Sequence, residues 1–239
     1  MERHILDAVP YTVDVDALAE RVRLRERHRP ALLDVVERAE AIARPKAIYG
    51  MAFIDKRDSD ALVIDGVTFK SRVLRVNLDD AERVFPYAVT CGAELEAWHV
   101  GMDDIVERYW VEAIMEQALA AAIGATMEAI DGMFSPGKTA SMGPGSLLDW
   151  PLREQRPLFE LLGDTEASIG LRLTSSFLML PAKSVSGIRF PTEHGFATCM
   201  LCPREGCPNR RAPHDPELYQ RRYAPDAMLT EAGRRKASQ

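Results

Sequence analysis

Ala47-Ile48-Tyr49-Gly50-Met51-Ala52-Phe53-Ile54, followed by Ala61-Leu62-Val63-Ile64-Asp65-Gly66-Val67-Thr68-Phe69, decides the fold. The first run is apolar and rich in residues that suit a pleated surface, so it reads as a strand. The second is two short apolar runs around Asp65-Gly66, the pair that a two-residue hairpin turn favours. Antiparallel pairing follows. Upstream, Leu32, Leu33, Val35, Val36, Ala39 and Ile42 recur at helical spacing after Pro30, and Pro45 ends that helix by withholding a backbone donor. Downstream, Pro86 to Thr90 is extended. Asp103 or Asp104 then caps a long helix running to about Ile130, with Val106, Trp110, Ala113, Ile114 and Ala118 on successive turns and Glu112 and Glu116 on its wet face. Its Ala118–Ala125 stretch is built of small side chains that let a backbone or a ligand approach closely. No low-complexity linker or internal repeat interrupts this alternation, which predicts an α+β fold.

Beyond the long helix, Ser135-Pro136-Gly137-Lys138 and Gly143-Pro144-Gly145-Ser146 punctuate a loop longer than most connections, which makes it a functional candidate. It is no phosphate-binding loop, because no Gly-Lys-Ser/Thr follows at the required spacing. A helix from about Pro151 to Leu162 should end at Gly163. Leu171, Leu173, Phe177 and Met179 then keep one parity of a strand, with Arg172, Thr174 and Ser176 on the other.

The 239 residues carry 30 Lys and Arg against 36 Asp and Glu, a net charge of −6, so no global basic field draws nucleic acid or an anionic membrane. Met1-Glu2-Arg3-His4 followed by Asp7 lacks the layout of a signal peptide, and no run nears the roughly 18 consecutive apolar residues of a spanning helix, so a cytoplasmic protein is expected. Four cysteines are too few for a disulfide scaffold, yet three crowd into Cys199, Cys202 and Cys207.

The order of blocks between Gly143 and Phe190 is more specific than any single motif: Gly143-Pro144-Gly145-Ser146, Asp149-Trp150-Pro151-Leu152, Leu158-Phe159-Glu160-Leu161-Leu162, Ile169-Gly170-Leu171-Arg172-Leu173-Thr174, Met179-Leu180-Pro181 and Lys183-Ser184-Val185-Ser186-Gly187-Ile188-Arg189-Phe190. The chain resembles the activation (reactivation) domain of cobalamin-dependent methionine synthase, in its short stand-alone form. The likeness is strongest over 40–198, which suggests an activation-domain-like unit at 1–198 and a Cys-rich, helical extension at 199–239. It implies an α+β domain whose curved antiparallel sheet and flanking helices hold S-adenosylmethionine and dock on a corrinoid-binding methyltransferase subunit. The implied role, within methionine biosynthesis, is reductive reactivation of cobalamin on that partner. A donor such as flavodoxin or ferredoxin gives the electron, S-adenosylmethionine gives the methyl group, and the protein supplies proximity and orientation. By the same resemblance, Pro144, Gly145, Ser146, Ser184, Val185, Ser186 and Phe196 are the residues expected at the ligand.

The sequence departs from the family at the anchors. The family's Arg-x-x-Pro-Gly-Tyr element is here Ser141-Met142-Gly143-Pro144-Gly145-Ser146, so its arginine is Ser141 and its tyrosine is Ser146. The family's helical glutamate falls at Ala125, with Glu128 one turn on. Losing a charge-assisted contact to the ligand's carboxylate is worth about 1.5–3 kcal/mol, or roughly 10- to 100-fold in affinity.

Cys199-x-x-Cys202-x-x-x-x-Cys207, bent by Pro203 and Gly206, places three thiols within nine residues, a spacing at which they can surround one metal. Zinc and an iron–sulfur cluster both take thiolates and normally want a fourth ligand, which Cys91, His194 or His214 could supply. His4, His28 and His99 read as ordinary surface or core residues. Two further readings compete with a reactivation partner. One is a corrinoid-protein-binding iron–sulfur or zinc protein that no longer takes S-adenosylmethionine. The other is a metal-stapled interaction module whose Arg204, Arg210, Arg211, Arg221, Arg222, Arg234, Arg235 and Lys236 contact nucleic acid, although acidic residues interrupt that tail.

Overall fold

The computed structural model describes residues 1–193 and 195–224. In chain order the elements are β1 (Glu2–Leu6), α1 (Val15–Arg21), α2 (Arg29–Ile42), β2 (Lys46–Arg57), β3 (Ala61–Ile64), β4 (Val67–Lys70), α3 (Arg72–Asn77), β5 (Arg83–Thr90), α4 (Ala93–Val100), α5 (Ile105–Phe134), β6 (Thr139–Met142), α6 (Gln155–Leu162), α7 (Thr165–Ile169), β7 (Arg172–Leu173), β8 (Met179–Leu180) and β9 (Ser184–Pro191). One seven-stranded sheet runs β4-β3-β2-β5-β9-β6 with β1 beside β2. Pairs β1–β2, β2–β3, β3–β4 and β6–β9 are antiparallel. The fold is α+β with an open antiparallel sheet, as expected.

Two compact units share these elements. The first comprises 1–51, 86–135 and 162–186, and the second comprises 52–85, 136–161 and 187 onward. The boundary expected at 198 is therefore not where the units divide, because the described residues after 198 belong to the second unit.

In the first unit, Leu32, Val35, Val36 and Ala39 of α2 pack with Trp110, Val111, Ile114 and Ala118 of α5, and Cys91 and Leu95 join them. Helix α5 starts where Asp104 accepts hydrogen bonds from the Val106 and Glu107 amides. Thirty residues long and with a mean hydropathy of 1.2 over its most apolar window, it is long and apolar enough to cross a membrane. The sequence showed no unbroken apolar run of that length, because charges are interspersed. Its apolar face is spent on the helical core just described, so packing accounts for that composition.

On the wet face of α5, Lys183 Nζ lies 2.9 Å from both Glu112 Oε1 and Glu116 Oε1, and Arg21 reaches the other oxygen of Glu116 at 2.5 Å. Burial pushes Glu116 up, but the hydrogen bonds from Lys183 and Arg21 outweigh it and hold the carboxyl below its usual range. Burial likewise pulls Lys183 down, and the two carboxylates outweigh it and hold the ammonium above its usual range. The signs differ at the two ends of the pH scale. The contribution of Glu116 is present above its unfolded value of about 4.3 and is lost as pH falls through its lower folded value; that of Lys183 is full below about 10.4 and is lost as pH rises through its raised folded value. Thermal melts across that range should show Lys183→Met flattening both flanks. Unchanged flanks would remove this network from the stability of the unit.

In the second unit the β3–β4 turn has Asp65 at φ 42° and Gly66 at φ 80°, the double left-handed geometry of a type I′ turn. Asp65 Oδ1 accepts from the Phe53 amide at 2.9 Å, and Asp55 Oδ2 accepts from the Gly66 amide at 2.7 Å. The long 135–146 connection is not wholly irregular, since β6 lies inside it and pairs with β9.

The strand expected over 171–179 is a correction. That segment forms the hairpin β7–β8, in which Arg172 pairs with Leu180 and Leu173 with Met179. Phe177 sits at φ 64°, which turns the chain, so its shared parity with Leu171 and Leu173 is coincidental. The Pro151–Leu162 helix begins as a 3₁₀ turn at Leu152–Glu154 and continues as α6 to Gly163 at φ 84°.

A cavity walled by the Gly143–Leu152 loop

Two carboxylates fasten the loop after β6. Asp149 Oδ2 accepts from Ser71 Oγ at 2.5 Å and from the Val73 amide at 2.9 Å, so it caps α3 from 76 residues away. Glu154, buried, accepts from the Lys70 amide at 2.9 Å. Within the loop the Gly145 amide donates to the Trp150 carbonyl at 2.7 Å, and the Trp150 amide donates to Leu147 at 3.1 Å. Gly145 has φ 84° and lies so close to Leu152 that a Cβ there would sit 3.0 Å from its Cδ1, so glycine is required on both counts. Trp150 is fully buried, and its Nε1 has no hydrogen-bond partner.

A second anchor comes from Arg72, nearly buried at the start of α3. Its guanidinium pairs with Asp60 at 2.7 Å and donates to the carbonyls of Ser59, Tyr223 and Ala224. Tyr223 is fully buried, gives its hydroxyl to Asn77 Oδ1 at 2.9 Å and meets Phe196 edge-on at 6.4 Å. The segment after 198 is thereby fixed against α3.

These anchors enclose a cavity of about 990 Å³. Gly145, Ser146, Leu148, Asp149 and Leu152 form one wall; Leu201, Cys202, His214 and Tyr219 form another, with Val73 of α3 between. The lining is mostly apolar, and its ionisable members are acidic, aromatic, thiol or imidazole. No lysine or arginine contributes. A ligand with an apolar body fits this space better than one held by its carboxylate.

Of the residues expected at a ligand, Gly145 and Ser146 line this cavity, and Pro144 is buried beside them. Ser184, Val185 and Ser186 lie in the first unit as the opening residues of β9, so their amides belong to a strand and not to a Ser-rich turn; Ser184 Oγ donates to the Pro181 carbonyl at 2.7 Å. Phe196 is a core residue of the second unit, not a wall of the cavity.

Among the described residues no three of His, Cys, Asp or Glu converge as a metal group. Cys91 is buried in the core of the first unit, and burial pushes its thiol up to about 12, as expected of a packing residue and not of a ready thiolate. Cys199, Cys202 and Cys207 are half-buried, free and in the second unit. The Arg211 amide donates to Cys199 Sγ at 3.4 Å and holds that thiol below its usual range. His194, Arg234, Arg235 and Lys236 lie outside the described residues. The other tail arginines are largely engaged: Arg210 on backbone carbonyls, Arg221 on Asp215 at 2.6 Å and Arg222 over the Tyr223 ring. That leaves little of the basic surface a nucleic-acid module needs.

Residues 142–197 match the family described as vitamin B12 dependent methionine synthase, activation domain. The chain is similar to the methionine synthase activation domain. The matched span begins at the last residue of β6 and contains the whole cavity loop. In fold, the chain is also similar to the crystal structure of the MetH reactivation domain bound to AdoHcy, with a TM-score of 0.56 and 19% identity over 78% of this chain and 70% of that one. No curated protein matches the chain in sequence. His214, Tyr219, Asp149 and Arg72 were not singled out from the sequence as parts of a site; Asp149-Trp150 stood inside the decisive blocks, but nothing local signals that a residue near 149 meets one near 219.

Proposed function

We propose that this chain is an accessory protein for reductive, S-adenosylmethionine-dependent reactivation of a cobalamin-dependent methyltransferase such as methionine synthase. The observation that carries this is the coincidence of the activation-domain match with the loop that walls the cavity. The chain's part is to seat the methyl donor and to dock on the corrinoid subunit. A low-potential donor of the flavodoxin or ferredoxin class supplies one electron to the partner's cob(II)alamin, and the resulting cob(I)alamin takes the sulfonium methyl group, leaving S-adenosylhomocysteine.

Ser141 leaves the donor's carboxylate without the family's arginine. Ser141 is paired directly with Arg189 across β6 and β9, and Arg189 Nε donates to Thr139 Oγ1 at 2.7 Å. Directly opposed side chains share one face of the sheet, so Arg189 brings a guanidinium to the face that Ser141 occupies. Calorimetric titration with S-adenosylmethionine tests the seat. Binding is expected, with Ser141→Arg tightening it roughly 10- to 100-fold. No heat at millimolar donor, with a corrinoid subunit still bound, would favour a docking protein that has given up the donor, a reading to which the lack of lysine and arginine in the lining already lends weight. Failure to bind any corrinoid methyltransferase would end both readings.

A further inference from the structure

Three free thiols in one loop call for an account that the reactivation role does not supply. From Cys199 to Pro216 the described chain forms little regular structure beyond a 3₁₀ turn at Thr198–Leu201. A single guanidinium gathers it instead. Arg210 donates through Nη1 to the carbonyls of Cys199 and Ala212, at 3.2 and 3.3 Å, and through Nη2 to those of Cys202, at 3.2 Å, and Arg204. The loop is therefore folded back on itself, and the backbone at two of its cysteines is held by one rigid fork.

His214 is brought to the same place by an independent contact. The amide of its neighbour Asp215 donates to the carbonyl of Met200, between Cys199 and Cys202, at 2.9 Å. Cys202 and His214 also line one cavity, so both side chains have access to the same open space. The Arg211 amide on Cys199 Sγ is the kind of outer contact that orients a sulfur ligand. Gly206, at φ 61°, gives the turn that returns the chain to Cys207. Cys91 has no part in this arrangement, being enclosed in the core of the other unit.

We propose that Cys199, Cys202, Cys207 and His214 bind one zinc ion in a closed, four-coordinate site that staples the loop forming one wall of the cavity. Three thiolates and an imidazole are a complete tetrahedral donor set for zinc, and a site without an open position is structural. Binding draws the four side chains together and releases the protons of the thiols. It also accounts for half-exposed cysteines left unpaired, since three thiols cannot all be satisfied by disulfides within the loop. The inference stands apart from the reactivation role and is tested without corrinoid or S-adenosylmethionine.

The full chain, purified without chelator and without air, should carry about one zinc per molecule by elemental analysis. Cys202→Ser, Cys207→Ser and His214→Asn should each lose most of it. A variant that fails to fold would lose zinc for a trivial reason, so the unaltered chain is also stripped and titrated with Co²⁺. Intense thiolate-to-metal absorption with a tetrahedral visible band, displaced by one equivalent of Zn²⁺, is the expected result. A stripped chain that takes up neither metal, or Cys202→Ser retaining full zinc, overturns the proposal. A brown protein with iron and acid-labile sulfide puts a cluster at these thiols and overturns the zinc assignment.

Discussion

Replacing Gly92 by alanine is expected to destabilise the chain by about 3–5 kcal/mol, read as a lower urea midpoint at unchanged slope. Gly92 sits at φ 102°, a conformation that costs a side-chain-bearing residue about 1–3 kcal/mol. Its Cβ would fall 2.4 Å from the Arg44 carbonyl oxygen and 2.8 Å from that carbonyl carbon. Those are backbone atoms, so no rotamer change relieves the contact, and overpacking adds about 1–3 kcal/mol. The strain lands where the first unit is least able to yield: the Cys91 amide is bonded to the Lys183 carbonyl at 3.0 Å, the Gly92 amide to Thr90 Oγ1 at 3.2 Å, and α4 starts at the next residue. A loss below about 1 kcal/mol would mean that this corner relaxes, contrary to the packing described.

Trp150→Ala should cost a comparable amount, about 3–5 kcal/mol, because the indole is fully buried and its removal leaves a large void. The effect should also reach the cavity. Trp150 accepts from Gly145 and donates to Leu147, and a collapsed loop displaces Ser146 and Leu148 together. Trp150→Phe separates volume from polarity. The buried Nε1 is unpartnered, so phenylalanine removes an unsatisfied donor as well as ring volume and should be much milder than alanine. Equal damage from the two substitutions would show that Nε1 has a partner this structure does not contain.

Elements were legible in the sequence where one local rule decided them. Asp65-Gly66 allows the left-handed pair a hairpin needs, Asp104 has the amides of Val106 and Glu107 within reach, and Gly163 ends α6 at a φ that other residues avoid. Elements decided by distant partners were not. β1 is a strand because Ile5 and Leu6 pair with Ile48 and Ala47 some forty residues on, and nothing in Met1–Asp7 announces it. Likewise α3 is only six residues and is held by Asp149 and by Arg72's reach to Tyr223. At the site, the glycine and proline punctuation exposed one wall. The opposite wall was hidden because His214 and Tyr219 carry no motif of their own, and the cysteine spacing drew attention to thiols and not to the cavity Cys202 borders.

The borrowed cap of α3 has a consequence for biosynthesis. A helix this short does not persist alone in water, and one of the acceptors holding its first turn belongs to a residue that the ribosome adds 76 positions after Val73. Until that carboxylate emerges, residues 72–77 stay unwound with Arg72 unsheltered, so a stalled nascent chain ending before 149 should be cleaved there by protease while the same bonds in the finished protein resist.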